Sequence, residues 1–169
     1  MVKAAIGRGY TDLLIFEETA WKTKKGVDSL IHIHLPGGPT AHFRITNLIL
    51  PKLIKNHGRP TKHYPELILN RFDTRLGRTM GRMFAALFPQ DPQFLGRRVV
   101  TFHNQRDFLF FRHHRYIFES REKVRLQELG PRFTLRLQSL QHGTFDSRYG
   151  EYEFVKKTEL QPDRKTFVL

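Results

Sequence analysis

The spacing of apolar residues changes from two to about three and a half and back again along this chain, and that switch limits the fold more than any other feature. In ELGPRFTLRL, Glu128 to Leu137, a Gly-Pro corner precedes strict alternation. Phe133, Leu135 and Leu137 point one way and Arg132, Thr134 and Arg136 the other, because strand side chains repeat every two residues. Between Thr74 and Phe88 the apolar positions Leu76, Met80, Met83, Phe84 and Leu87 instead mark one face of a helix. Thr74 reads as its N-cap and Pro89 as its stop. The chain thus reads as strand-like segments on both sides of a helix.

The remaining segments fill in that outline. TDLLIFEE (Thr11 to Glu18) and SLIHIHL (Ser29 to Leu35) read as strands joined by the charged turn WKTKKGVD (Trp21 to Asp28). PGGP (Pro36 to Pro39) breaks the second strand, and AHFRI (Ala41 to Ile45) resumes an extended pattern. PELILNRF (Pro65 to Phe72) is expected to form a short helix before the longer one. VVTFHNQRDFLFFRHHRYIFE (Val99 to Glu119) reads as a hairpin turning at NQRD, and Val124 to Leu126 as a further strand. After His142 and Gly143 the sequence turns polar, so residues 146–169 are expected to be a polar C-terminal tail behind a domain of residues 1–145.

The chain has 169 residues, enough for one domain with a real core. Its 15 phenylalanines set it apart from disordered chains, which are poor in aromatics. With no cysteine, disulfides, thiolate metal sites and cysteine nucleophiles are excluded. No apolar run approaches the roughly 18 residues of a membrane-spanning helix, and a soluble intracellular protein without a membrane partner is expected. The net charge of +13 sits mainly in two blocks. Residues 51–82 hold eight Lys/Arg against two acids, and residues 97–136 hold ten against four. Such blocks beside a balanced tail point to a polyanion, and nucleic acid is favoured because the cations lie partly on strands.

Catalytic signals are weak. His32 and His34 share a strand face with His42 across the next connection, which raises a metal site, yet neither an HExxH motif nor a nearby carboxylate completes one. Adjacent His113 and His114 face opposite ways on a strand. Gly7-Arg8-Gly9 and Pro36-Gly37-Gly38-Pro39 match no phosphate-loop pattern. A His-based metal-dependent RNA-processing enzyme therefore stands behind two binding readings, an RNA-binding protein and a basic protein-interaction module. No cofactor and no small-molecule substrate are expected. Arg75, Arg78 and Arg82 share one face of the helix, while Arg112, Arg115, Arg132 and Arg136 are interleaved with aromatics along strands. Guanidinium groups bind phosphates bidentately and stack on bases, which suits RNA.

GPTAHFRITNL (Gly38 to Leu48), LNRFDTRLGRTMGRMFAALFP (Leu69 to Pro89), VVTFHNQRDFLFFRHHRYIF (Val99 to Phe118) and ELGPRFTLRLQSLQHGTFDSRYGEYEF (Glu128 to Phe154) together resemble the Brix domain of ribosome-assembly factors. The resemblance implies an α/β domain of two similar halves, each like the anticodon-binding domain of certain tRNA synthetases, with the opening strand and helix of the first half missing here. It implies a non-enzymatic role in the nucleolus of the nucleus, binding pre-ribosomal RNA during maturation and rRNA processing of the large ribosomal subunit, in company with assembly proteins of the preribosome. The family's RNA-binding segment falls on Glu128 to Phe145. It opens with Glu128 and Leu129, and Gly130 and Pro131 set the corner. Phe133, Leu135 and Leu137 would anchor the strand, and Arg132, Arg136 and His142 would face the RNA. Thr134, Gln138, Ser139, Leu140, Gln141, Gly143, Thr144 and Phe145 complete the segment.

Overall fold

The computed structural model describes residues 1–18, 26–146, 148–156 and 167–169. Residues 21–25 of the expected charged turn, Trp21 to Asp28, lie outside them. The chain divides into two compact units, Met1–Thr46 with Leu135–Phe167, and Asn47–Thr134 with Val168–Leu169.

The first unit holds α1 (Val2–Gly7), β1 (Asp12–Glu18), β2 (Val27–His34), most of β3 (Thr40–Ile49), most of β8 (Arg132–Gln141) and β9 (Tyr152–Val155). β1 and β2 pair antiparallel, as do β2 and β3, and β9 pairs antiparallel with β8. Ala5, Ile33 and Leu35 form a core joined by Val2, Leu13, Ile15 and Ile31, so α1 covers one sheet face. Leu30, Ala41 and Phe43 are buried on the opposite face. The stretch 146–169 supplies β9, in which Phe154 stands opposite Leu140.

The second unit is built on a strand-helix-strand element. β4 (Glu66–Asn70) runs parallel to β5 (Arg98–Gln105), and α2 (Arg75–Ala86) makes the crossover that parallel neighbours need. β6 (Phe108–Phe118) pairs antiparallel with β5, turning at Arg106 and Asp107, whose positive φ angles of 53° and 63° suit a two-residue hairpin turn. β7 (Val124–Glu128) pairs antiparallel with β6.

α2 starts where its sequence places it. The Thr74 hydroxyl accepts from the Gly77 N–H at 2.9 Å, and Met80, Met83 and Phe84 are buried. Phe84 stacks on Phe102 with ring centroids 4.2 Å apart and takes the edge of Phe72 at 6.2 Å. Phe102 meets Phe111 edge-on at 5.1 Å, and Phe111 stacks on Phe133 at 4.4 Å. A continuous aromatic ladder thus joins the helix to the start of β8, which accounts for much of the phenylalanine content.

The expected helix at Pro65 to Phe72 is corrected to the strand β4. A helix of eight residues is marginal by itself, whereas an extended chain here bonds its backbone to β5 and packs on α2. The Leu69 side chain lies against Gly81 of α2, and Ile68 on the opposite face is exposed.

Candidate nucleic-acid interface

The segment Glu128 to Phe145 begins at a tightly held corner. Leu129 and Gly130 are buried, and the Gly130 carbonyl accepts from His113 Nδ1 at 2.9 Å. Arg98 Nε lies 3.2 Å from His113 Nε2, so the ring is read as neutral, with Nδ1 donating to the carbonyl and Nε2 accepting from arginine. Burial first, and then the charge of Arg98, hold the His113 pKa below its ordinary value, against the help of the Gly130 carbonyl.

That tautomer has a pH consequence. Burial also lowers the pKa of His32, against its hydrogen bond to Asp12, and that of His114, against the charge of Glu128. The unfolded chain therefore takes up protons that the folded chain resists. Stability is full above the ordinary histidine value near 6.5 and falls as pH drops below it toward the folded values. The urea midpoint is expected to fall between pH 7 and pH 5, and to fall less in His113→Gln, whose amide can still donate to Gly130. A profile identical in the two proteins would exclude His113 as one of the groups responsible.

From this corner β8 carries its arginines into two cationic settings. In the second unit, Arg132 Nη1 lies 3.5 Å from Glu128 Oε2. This single long contact leaves the guanidinium fork short of a bidentate carboxylate, and so able to turn to phosphate. Arg112, on the neighbouring β6, is half-buried; burial and the charge of Arg132 lower its pKa while Glu128 opposes them. Its guanidinium also sits 5.8 Å from the ring centre of Phe110. In the first unit, Lys156 has its pKa lowered by burial and then by the charges of Arg136 and Arg44. Like charges gathered on a surface disfavour one another, and an anion relieves that cost.

Other members of the segment are placed less openly. Leu135, Leu137 and Leu140 are buried as strand anchors, and Phe133 is half-buried in the aromatic ladder. Thr134, expected on the wet face, is 3% exposed, which is a correction. A short side chain in an interior strand is covered by its neighbours, while the long arginines before and after it reach outward. Gln141 is buried too, and its side-chain oxygen accepts from the Asp146 N–H at 3.2 Å. Gln138 and Ser139 are half-buried, and His142 and Phe145 are exposed. Gly143 and Thr144 are half-buried, and the Gly143 carbonyl accepts from the Thr40 hydroxyl at 3.0 Å.

Arg44 and Lys156 were not legible as members of the site. Lys156 stands in a charge-balanced stretch, and only the pairing of β9 with β8 brings it beside Arg136; its N–H donates to the Gln138 carbonyl at 2.8 Å.

The histidines divide differently from their sequence pattern. Asp12 Oδ1 lies 2.9 Å from both His32 Nε2 and His34 Nδ1, a carboxylate that β1 delivers from across the sheet. His32 is fully buried, so it faces the core and not an RNA ligand. The expected grouping with His42 is corrected by register. Ala41 stands opposite His32 and His42 opposite Ile31, which puts His42 on the other sheet face, 2.7 Å from the Ser29 hydroxyl. Among the described residues no group of three or more His, Asp or Glu side chains is arranged to hold a metal ion.

Known proteins give this arrangement a context. The chain is 56% identical over 171 residues to Ribosome production factor 1 of Xenopus laevis, covering 100% of this chain and 49% of that one. It is 50% identical over 164 residues to Ribosome production factor 1 of Saccharomyces cerevisiae, covering 97% of this chain and 53% of that protein. The chain thus spans about half the length of the curated relatives it matches. A solved structure described as a probable ribosomal biogenesis protein from Aeropyrum pernix K1 matches with a TM-score of 0.50 and 10% identity, over 80% of this chain and 72% of that chain. At that identity the likeness is one of fold. The family described as Brix domain matches residues 1–139, and the chain belongs to that family.

Proposed function

We propose that this chain is a non-enzymatic ribosome-assembly module that binds pre-ribosomal RNA along β8. The observation that carries the reading is that strand order gathers cations around β8, with Arg112 on β6 near Arg132, and Arg44 on β3 and Lys156 after β9 near Arg136, while Glu128 is the acid that meets Arg132 at 3.5 Å. These groups neutralise phosphates, and the exposed His142 and Phe145 offer rings to unpaired bases. The names of the full-length relatives support a place in ribosome production. Maturation of large-subunit precursors in the nucleolus, with assembly proteins as partners, fits that reading. So does a domain of two similar halves.

The test is fluorescence anisotropy with a labelled single-stranded RNA across a salt series, with circular dichroism on each protein. Each phosphate contact on a single strand contributes about 0.7 to the slope of log affinity against log salt. Arg132→Ala/Arg136→Ala is therefore expected to flatten the slope by about 1.4, and adding Arg44→Ala to flatten it further. A slope unchanged in the double variant would move the phosphate contact to Arg78 and Arg82 of α2, both exposed. Absence of RNA binding by the wild type would favour the basic protein-interaction module.

A further inference from the structure

β7 uses only one of its two edges for β6. The Leu129 N–H donates to the His113 carbonyl, and the Glu119 N–H to the Lys123 carbonyl, each at 2.9 Å. Hydrogen-bonded pairs alternate along an antiparallel ladder. Residues 125 and 127 therefore turn their backbone groups to β6, while Val124, Leu126 and Glu128 turn theirs away. The chain already uses the end of that outer line, where the Gly58 N–H donates to the Glu128 carbonyl at 2.8 Å. The N–H and C=O groups of Val124 and Leu126 continue it, and among the described strands β7 pairs with β6 alone.

Side chains beside the open edge are sorted by face. Tyr116 stands opposite Leu126 and Phe118 opposite Val124. Phe118, Val124 and Leu126 are 63%, 44% and 62% exposed. On the other face Arg125 and Arg115 share with Lys55 a groove of about 560 Å³, which Ile117, Leu126 and Glu128 also line. Arg125 is paired with Glu119.

We propose that the outer edge of β7 docks an extended segment of a partner protein whose side chains alternate between apolar and acidic. Its main chain adds to the ladder at Val124 and Leu126. Its apolar residues cover those two side chains, and its acids meet Arg125, Arg115 and Lys55. The edge discriminates against other occupants. A second copy of the chain would set Arg125 and Lys123 against their own kind. RNA has no amide ladder to offer to the free backbone groups of Val124 and Leu126. Glu128 lines this groove and also meets Arg132, but Val124, Arg125 and Leu126 take no part in the β8 site, so variants at those positions let either proposal fail without the other.

The probe is a labelled eight-residue peptide alternating Val and Glu, compared with a Val-Lys peptide and with a Val-Glu peptide N-methylated at alternate positions. The Val-Glu peptide is expected to bind the full chain at least tenfold tighter than either control. Leu126→Lys and Arg125→Glu should each weaken it at least tenfold while leaving the RNA salt slope unchanged. Hydrogen exchange at the Val124 and Leu126 amides of the wild type should slow at least tenfold when the peptide binds, a readout that needs no variant. Equal affinity of the three peptides, no binding by any of them, or unprotected Val124 and Leu126 amides would each overturn the proposal. Protection of those amides by single-stranded RNA and not by the peptide would overturn it in favour of a nucleic-acid site.

Discussion

Replacing Phe84 with alanine is expected to lower the unfolding free energy by about 3–5 kcal/mol, the range for truncating a buried phenylalanine. Phe84 is 1% exposed and stands at the centre of the second unit's core, stacked on Phe102 and touched by the edge of Phe72. The cavity left behind would be walled by strands and by α2, whose backbone is fixed by its hydrogen bonds, so the site collapses poorly. For a chain of this size the melting temperature should fall by roughly 6–20 °C. Arg82→Ala on the exposed side of the same helix should change stability by less than about 0.5 kcal/mol. Thermal melts followed by circular dichroism measure both. A loss below about 1 kcal/mol in Phe84→Ala would mean that the ladder repacks around the gap.

The same ladder ties stability to the RNA reading. Phe102 passes the packing to Phe111, and Phe111 to Phe133, the residue that follows Arg132. Loosening Phe84 removes a rigid base from under the start of β8. RNA affinity in Phe84→Ala should therefore decline at temperatures where the variant is still folded, with an unchanged salt slope, because the arginines are present but less well held.

How much of this was legible depends on how local each signal is. α2 announced itself through a complete set of neighbour-scale cues, an N-cap threonine, a helical stripe and a following proline. The β5–β6 hairpin and the alternation of β8 are equally local. β4 was misread because ELILN carries no turn chemistry and is short enough for either period; its state is decided by β5, about thirty residues further along. The N-terminal helix α1 has six residues and draws its order from Ala5 packing on Ile33 and Leu35, which no local pattern reveals. For the site, the arginines of β8 could be named from alternation, but their company could not. Arg44 and Lys156 arrive through strand pairing. The carboxylate that holds His32 and His34 comes from Asp12, twenty residues away in sequence from the nearer of the two.

Gly130→Ala should be the most damaging substitution at the entrance to β8. Gly130 has a φ of +65°, a conformation that costs an ordinary L-residue about 1–2 kcal/mol. A Cβ there would stand 2.8 Å from Ile54 Cδ1 and 3.2 Å from Pro51 Cα. The isoleucine tip can move, although Ile54 is itself buried, but the proline contact is backbone and cannot yield without shifting the 3-10 turn at Pro51–Leu53. Overpacking of that kind adds about 1–3 kcal/mol. Relief by moving the corner would pull its carbonyl from His113, so Gly130→Ala should weaken RNA binding as well as stability. Gly130→Asn separates the two costs, since asparagine tolerates the left-handed conformation but brings the same Cβ. Urea unfolding of the two variants should show the larger loss in Gly130→Ala. Equal losses would assign the whole effect to the crowding with Pro51 and Ile54. No loss in either would refute the left-handed corner, and with it the geometry that aims Arg132 out of the sheet.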